Sequence, residues 1–223
     1  MRYQARTVMG HERAENHDFA LAEVDEVQGM FVVVDGTSKL GSRQLAQALA
    51  RGVIEGYQRH IAQSSDDSSP DRIERLLSTI LVDMHRELFA IHTGSTSYLI
   101  GVVRQGKLTV AYEGDCACGM AAADGRIEWF TPPHCQANWN RDRTHPELAL
   151  DPARNLVTRS FRASRFPQPD FVRQMAPAGT RFVFATDGFW AELSERQQAA
   201  ALNDTRREIA VVSDDITWID VWM

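Results

Sequence analysis

Strand-like runs in this chain come in clusters, with two long helical stripes side by side between them, and that order constrains the fold most. Tyr3 to Val8, Phe19 to Val24 and the strongly apolar Met30 to Val34 come first. In the next stretch Leu45, Leu49, Val53, Tyr57 and Ile61 recur every four residues. Beyond it Ile73, Leu76, Leu77, Ile80, Leu81, Met84 and Leu88 line one helical face. The polar segment Gln63 to Pro70 reads as a loop between these helices. A meander follows: Thr96 to Val103, Leu108 to Glu113, Cys118 to Ala122 and Ile127 to Phe130, with turns at Gln105-Gly106 and Asp124-Gly125. Residues Thr131 to Arg165, with Pro132, Pro133 and Pro146, read as irregular. Strands return at Phe171 to Met175, Arg181 to Thr186 and Ile216 to Trp222, with one or two short helices between Ser194 and Ala210. Strands and helices do not alternate, so the pattern predicts an α+β fold of antiparallel sheets with helices on their outer faces.

The 223 residues suit a single domain spanning 1–223. A net charge of -6 with no basic stripe argues against a nucleic-acid partner. Cys116, Cys118 and Cys135 are too few, and odd in number, for a disulfide framework. Cys116, Cys118, His134 and Cys135 raise zinc as an alternative. It is weakened by the lack of a second CxxC and by Cys118 falling in a strand. The amino terminus has no signal-peptide core and no run is long enough to span a membrane, so a cytoplasmic protein without a membrane partner is expected.

Five aspartates stand at strand ends. Asp18 enters a strand, Asp35 closes Phe31-Val-Val-Val, Asp115 follows Tyr112-Glu-Gly, Asp187 closes Phe182-Val-Phe-Ala-Thr, and Asp214 precedes the last strand. Carboxylates converging at buried strand ends repel one another unless protons or cations balance them. Hard divalent ions such as Mg²⁺ and Mn²⁺ take oxygen ligands, and a pair of them can acidify a water and clamp a phosphoryl group. Asp-Gly is also a common turn dipeptide, and Asp124-Gly125 reads as only that.

Seven segments, in order along nearly the whole chain, resemble the motifs of the PP2C-type (PPM) metal-dependent serine/threonine protein phosphatases. They are Gly10 to Asp18 (GHERAENHD), Phe31 to Gly36 (FVVVDG), Gly94-Ser95-Thr96, Gly114-Asp115-Cys116-Ala117, Arg154 to Arg159 (RNLVTR), Phe184 to Trp190 (FATDGFW) and Asp214-Asp215-Ile216-Thr217. The resemblance implies a four-layer αββα sandwich of two mainly antiparallel sheets flanked by helices. It further implies hydrolysis of phosphoserine and phosphothreonine by a metal-activated water at a site holding two Mn²⁺ or Mg²⁺ ions, with room for a third. By that resemblance Asp35 bridges the two metals and the Gly36 carbonyl meets one. Asp187 and Asp214 ligate the other, Asp18 acts through water, and Asp115 with Asp187 holds the third and weakest ion. Arg13 grips the phosphate, a task suited to its planar fork. The implied partner is a phosphoprotein, with a Ser/Thr kinase or its target among the candidates, acted on by a monomer.

Three departures from the family pattern bear on activity. His17 stands where the family has glutamate. Thr37-Ser38-Lys39-Leu40-Gly41 carries no histidine to serve as general acid, and Lys39 reads as solvated. The stretch from Asp187 to Asp214 is short. His17 and the loop after Gly36 raise an alternative: a catalytically weak relative that recognises a phosphoprotein or a kinase. A phosphatase for a small phosphoester is a third reading. His11, His134 and His145 read as surface or loop histidines, and the five tryptophans as core or rim.

Overall fold

The apolar run at 30–34 becomes the centre of β3 (Gln28–Gly36), which pairs antiparallel with β2 (Phe19–Val24) and β4 (Ser95–Arg104). Phe31, Val32, Val33 and Val34 have no exposed surface. Alternation sends them two ways: Val32 and Val34 face a helix layer, while Phe31 and Val33 face the second sheet. Each such side chain contributes about 1.5–3 kcal/mol of burial. The computed structural model describes residues 1–62, 69–203 and 212–223. Most of the expected 63–70 loop, and the end of the helical region expected up to Ala210, lie outside them.

The first sheet runs β2-β3-β4-β5-β9, with β5 (Lys107–Glu113) and β9 (Asp170–Met175); β8 (Phe161–Arg162) pairs with β4. The second runs β1-β11-β10-β6-β7, built from β1 (Arg2–Val8), β6 (Ala117–Ala121), β7 (Ile127–Trp129), β10 (Arg181–Ala185) and β11 (Ile216–Trp222). Every pairing in both sheets is antiparallel.

Helices α1 (Ser42–Ala62) and α2 (Pro70–Leu88) cover the first sheet through the stripes read from the sequence. They approach closely because Gly52 and Gly56 lie one turn apart on α1. A Cβ at Gly52 would meet the Met84 sulfur at 2.3 Å. The wide turn Gly188–Glu192 and α4 (Glu195–Asn203) pack Phe189, Leu193, Ala201 and Leu202 on the second sheet. The layers are therefore αββα, as expected. Residues 131–165 hold more order than their sequence suggests: short 3-10 turns at Gln136–Asn138 and Pro152–Asn155, α3 (His145–Ala149) and β8. Among the described residues no helix is long and apolar enough to cross a membrane.

Candidate metal centre

Asp35 and Gly36 close β3, Asp115 follows the end of β5 across Gly114, and Asp187 follows the end of β10. Asp18 enters β2 and Asp214 precedes β11. The carboxylate oxygens of Asp35, Asp115 and Asp187 come within 4.8 Å of one another. Strands of both sheets thus deliver three acids to one point.

Each acid is fixed by neighbours that sequence reasoning did not assign to the site. The Ser97 hydroxyl donates to Asp115 Oδ1 at 2.7 Å, and Trp190 Nε1 donates to the Asp115 carbonyl at 2.8 Å. Gly114 makes the corner with φ of 113°, and a Cβ there would strike Ser97 Oγ at 2.1 Å. The Thr186 hydroxyl donates to Asp18 Oδ2 at 2.8 Å. Arg154 Nη1 donates to Asp187 Oδ2 at 2.9 Å, with both side chains 13% exposed. The Asp35 carbonyl accepts from the Thr96 hydroxyl, and the Gly36 N–H donates to the His17 carbonyl at 3.2 Å.

Asp214 stands outside the group of three and is gripped by Arg13, whose Nε donates to Oδ1 at 2.8 Å and whose Nη2 reaches the same oxygen. Arg13 Nη1 donates to Ser38 Oγ. Asp215 is 3% exposed and accepts the N–H groups of Gly10 at 3.0 Å and His17 at 2.8 Å, tying the Arg13 loop to the start of β11. Asp215 and Arg154 both lie inside segments the sequence singled out, but their roles depend on contacts far along the chain.

The electrostatics are one-sided. Burial, then Asp18, Asp187 and Asp115, push the Asp35 carboxyl well above its ordinary range. Asp18 is raised by burial and by Asp215 and Asp187; Asp115 is raised chiefly by burial. Burial and the charges of Asp115 and Asp214 push Asp187 up to about 7, against the pull of Arg154. The donors are carboxylate oxygens, which fit Mg²⁺ or Mn²⁺ and not the thiolate chemistry that zinc fingers use. Cys116, Cys118 and Cys135 are free and buried, and none belongs to this group.

The departures read from the sequence have structural counterparts. His17 Nε2 pairs with Glu15 at 3.2 Å, Glu15 pairs with Arg43 at 2.9 Å, and His17 Nδ1 is buried with no partner among the described residues. The loop after Gly36 is pinned where Thr37 Oγ1 meets Ser42 Oγ at 3.0 Å and the Ser95 carbonyl at 3.1 Å, while Lys39 is exposed. His11 is exposed as expected. His134 and His145 are not surface groups: they are 4% and 6% exposed. Both are buried because residues 131–165 fold back over the sandwich, with His145 between Trp129 and Trp190 and His134 stacked on Tyr112.

No protein-family model and no curated protein sequence matches the chain. Solved structures do. The serine/threonine phosphatase of S. agalactiae superposes with a TM-score of 0.81 at 18% identity, covering 100% of this chain and 99% of that one. Stp1 from Staphylococcus aureus gives 0.75 at 16% identity, covering 99% and 94%. The catalytic domain of the phosphatase PstP, solved in complex with two manganese ions, gives 0.67 at 16% identity, covering 98% and 96%. The chain has the fold of the PP2C-type bacterial serine/threonine phosphatases over its whole length.

Proposed function

We propose that this protein hydrolyses phosphoserine and phosphothreonine in proteins with the help of two Mn²⁺ or Mg²⁺ ions. The observation that carries the reading is the convergence of Asp35, Asp115 and Asp187 within 4.8 Å on a PP2C-type frame. Their raised carboxyl values mark an excess of negative charge that divalent cations would balance. Asp35, the Gly36 carbonyl, Asp187 and Asp214 are the residues that would hold the pair, with Asp18 acting through water and Asp115 with Asp187 holding a weaker third ion. When bound, such ions supply an acidified water and positive charge against the phosphoryl oxygens.

The rest of the work falls to the chain. Arg13 presents its fork at the rim of the acids, between Asp214 and Ser38, where a phosphate dianion would compete for its N–H groups. Thr186 and Ser97 hold the Asp18 and Asp115 carboxylates in fixed orientations. Residues 37–41 offer no histidine to protonate the leaving alkoxide, so turnover should be slower by about 10²–10⁴-fold than with a placed general acid. The reading extends to a cytoplasmic monomer acting on a phosphoprotein such as a Ser/Thr kinase or its target. PstP's two manganese ions support the choice of cofactor.

The test is hydrolysis of p-nitrophenyl phosphate and of a phosphothreonine peptide, with and without Mn²⁺, beside Asp187→Asn. Metal-dependent turnover that the substitution removes is the expected result. Turnover unchanged in Asp187→Asn would sink the site assignment. No turnover with any metal would favour a phosphoprotein-binding module instead.

A further inference from the structure

The buried ring of His134 sits directly behind the candidate site, and nothing in the chemistry above uses it. Its backbone N–H donates to the Gly114 carbonyl at 2.8 Å, while its Nδ1 accepts the Gly114 N–H at 3.0 Å. Both polar groups of the glycine that turns the chain into Asp115 are therefore satisfied by one residue. The His134 carbonyl accepts the Thr158 N–H at 2.9 Å, and Cys135 bridges to Val157. That second contact anchors the segment carrying Arg154, whose guanidinium meets Asp187.

The ring itself is over-determined. It stacks on Tyr112 at 5.0 Å with planes 13° apart, and its Nε2 faces Asp170 Oδ2 at 3.1 Å. Because the Gly114 N–H needs the lone pair of Nδ1, the ring hydrogen belongs on Nε2, directed at Asp170. Arg141 Nη2 and Arg159 Nη1 (the latter at 3.0 Å) also crowd Nε2, and both donate to the Asp170 carboxylate. Asp170 is held in turn by Arg141 and by Arg159 Nη1 at 2.9 Å. Burial and the neighbouring Arg159 charge keep the imidazole neutral, which this bonding pattern requires.

We propose that His134 is a positioning residue: in its Nε2–H tautomer it sets the Gly114 corner, and with it Asp115, and docks the Arg154 segment over Asp187. It acts through Gly114 and Thr158 without touching substrate. The inference rests on the metal-site reading of the preceding subsection, and it bears on the weakest ion, the one assigned to Asp115 and Asp187. Second-sphere groups of this kind typically change metal affinity by 10–100-fold.

The test compares His134→Leu, which removes the acceptor, with His134→Asn, whose Oδ1 can take the place of Nδ1. Mn²⁺ titration followed by calorimetry and electron paramagnetic resonance reads affinity directly. His134→Leu should weaken the weakest Mn²⁺ by about tenfold or more, and His134→Asn should recover most of that loss. Wild-type affinity in the leucine variant, or equal losses in both variants, would overturn the proposal. Because the leucine variant can fail to fold, ¹⁵N spectra of the wild-type imidazole provide a second decision. A proton on Nε2 with a bare Nδ1 is expected, and a proton on Nδ1 would overturn the assignment. If the wild type binds no Mn²⁺ at all, the metal-site reading falls and the role assigned to His134 falls with it. Binding by the wild type with no difference among the variants removes the role of His134 alone.

Discussion

Only Gly114 separates Glu113 from Asp115, yet the two carboxylates have opposite surroundings. Glu113 has no exposed surface and is fully matched: Arg165 and Arg159 pair with it, and the Tyr98 hydroxyl donates at 3.3 Å. Next to it Asp170 is pushed up by burial, but Arg141, Arg159 and His134 outweigh that and hold it at about 2. Across Gly114, Asp115 faces Asp35 and Asp187, and all three are raised. The first network is neutralised by its own arginines and rigidifies the frame. The second has only Arg154, on Asp187, against three acids, and an excess of buried negative charge in a cleft is the mark of a ligand site.

That contrast makes opposite forecasts for similar substitutions. Asp187→Asn should lower metal-dependent turnover by on the order of 10³-fold, since such ions contribute several kcal/mol of transition-state stabilisation. The same change should raise the unfolding temperature of metal-free protein. Asp187 sits near 7 in the fold against an ordinary 3.8, so its favourable share is complete below about 3.8 and lost as pH rises through 7. Scanning calorimetry should therefore show the gain at pH 8 and almost none at pH 4. A destabilised Asp187→Asn at pH 8 would break the comparison.

Glu113→Gln should go the other way, costing about 3–5 kcal/mol because it strips a buried pair of its anion. Urea unfolding would reveal it, and a neutral result would mean that the arginines find other partners. Acid should act on the matched network too. His134 is pulled down to about 4 by burial and Arg159, so its contribution is present above its ordinary 6.5 and lost as pH falls through 4. Roughly 3 kcal/mol should disappear over that window in the wild type, and much less in His134→Asn. A smaller effect is expected from His17→Glu, which replaces a ring with a buried, unpartnered Nδ1 by a carboxylate beside the acids. Mn²⁺ affinity should rise by about tenfold at most, and a fall would show that the Glu15–His17 pair is part of the site.

Much of this was legible in the sequence because it depends on periodicity. The run ending at Asp35, the stripes of α1 and α2, and the hairpin at Gln105-Gly106 repeat with the period of their elements. The strand-end aspartates were legible for the same reason: locating a strand locates its end. Residues 131–165 were not, since their order comes from single long-range contacts. β8 is two residues long, α3 is five, and His134 is buried by Tyr112 and Asp170, none of which its neighbours in sequence announce. Asp215 falls inside the closing segment with no role of its own there, and the structure turns it toward the Gly10 and His17 amides. Arg13 and Asp214 were read as separate agents and stand in contact. No spacing rule reports a contact spanning most of the chain.

The most direct test of the unbalanced acidic centre is a calorimetric Mn²⁺ titration of the wild type at neutral pH beside Asp35→Asn. Two ions per chain are expected in the wild type, and loss of that binding in Asp35→Asn. A wild type that takes up no Mn²⁺, or an Asp35→Asn protein that binds as well as the wild type, would contradict it.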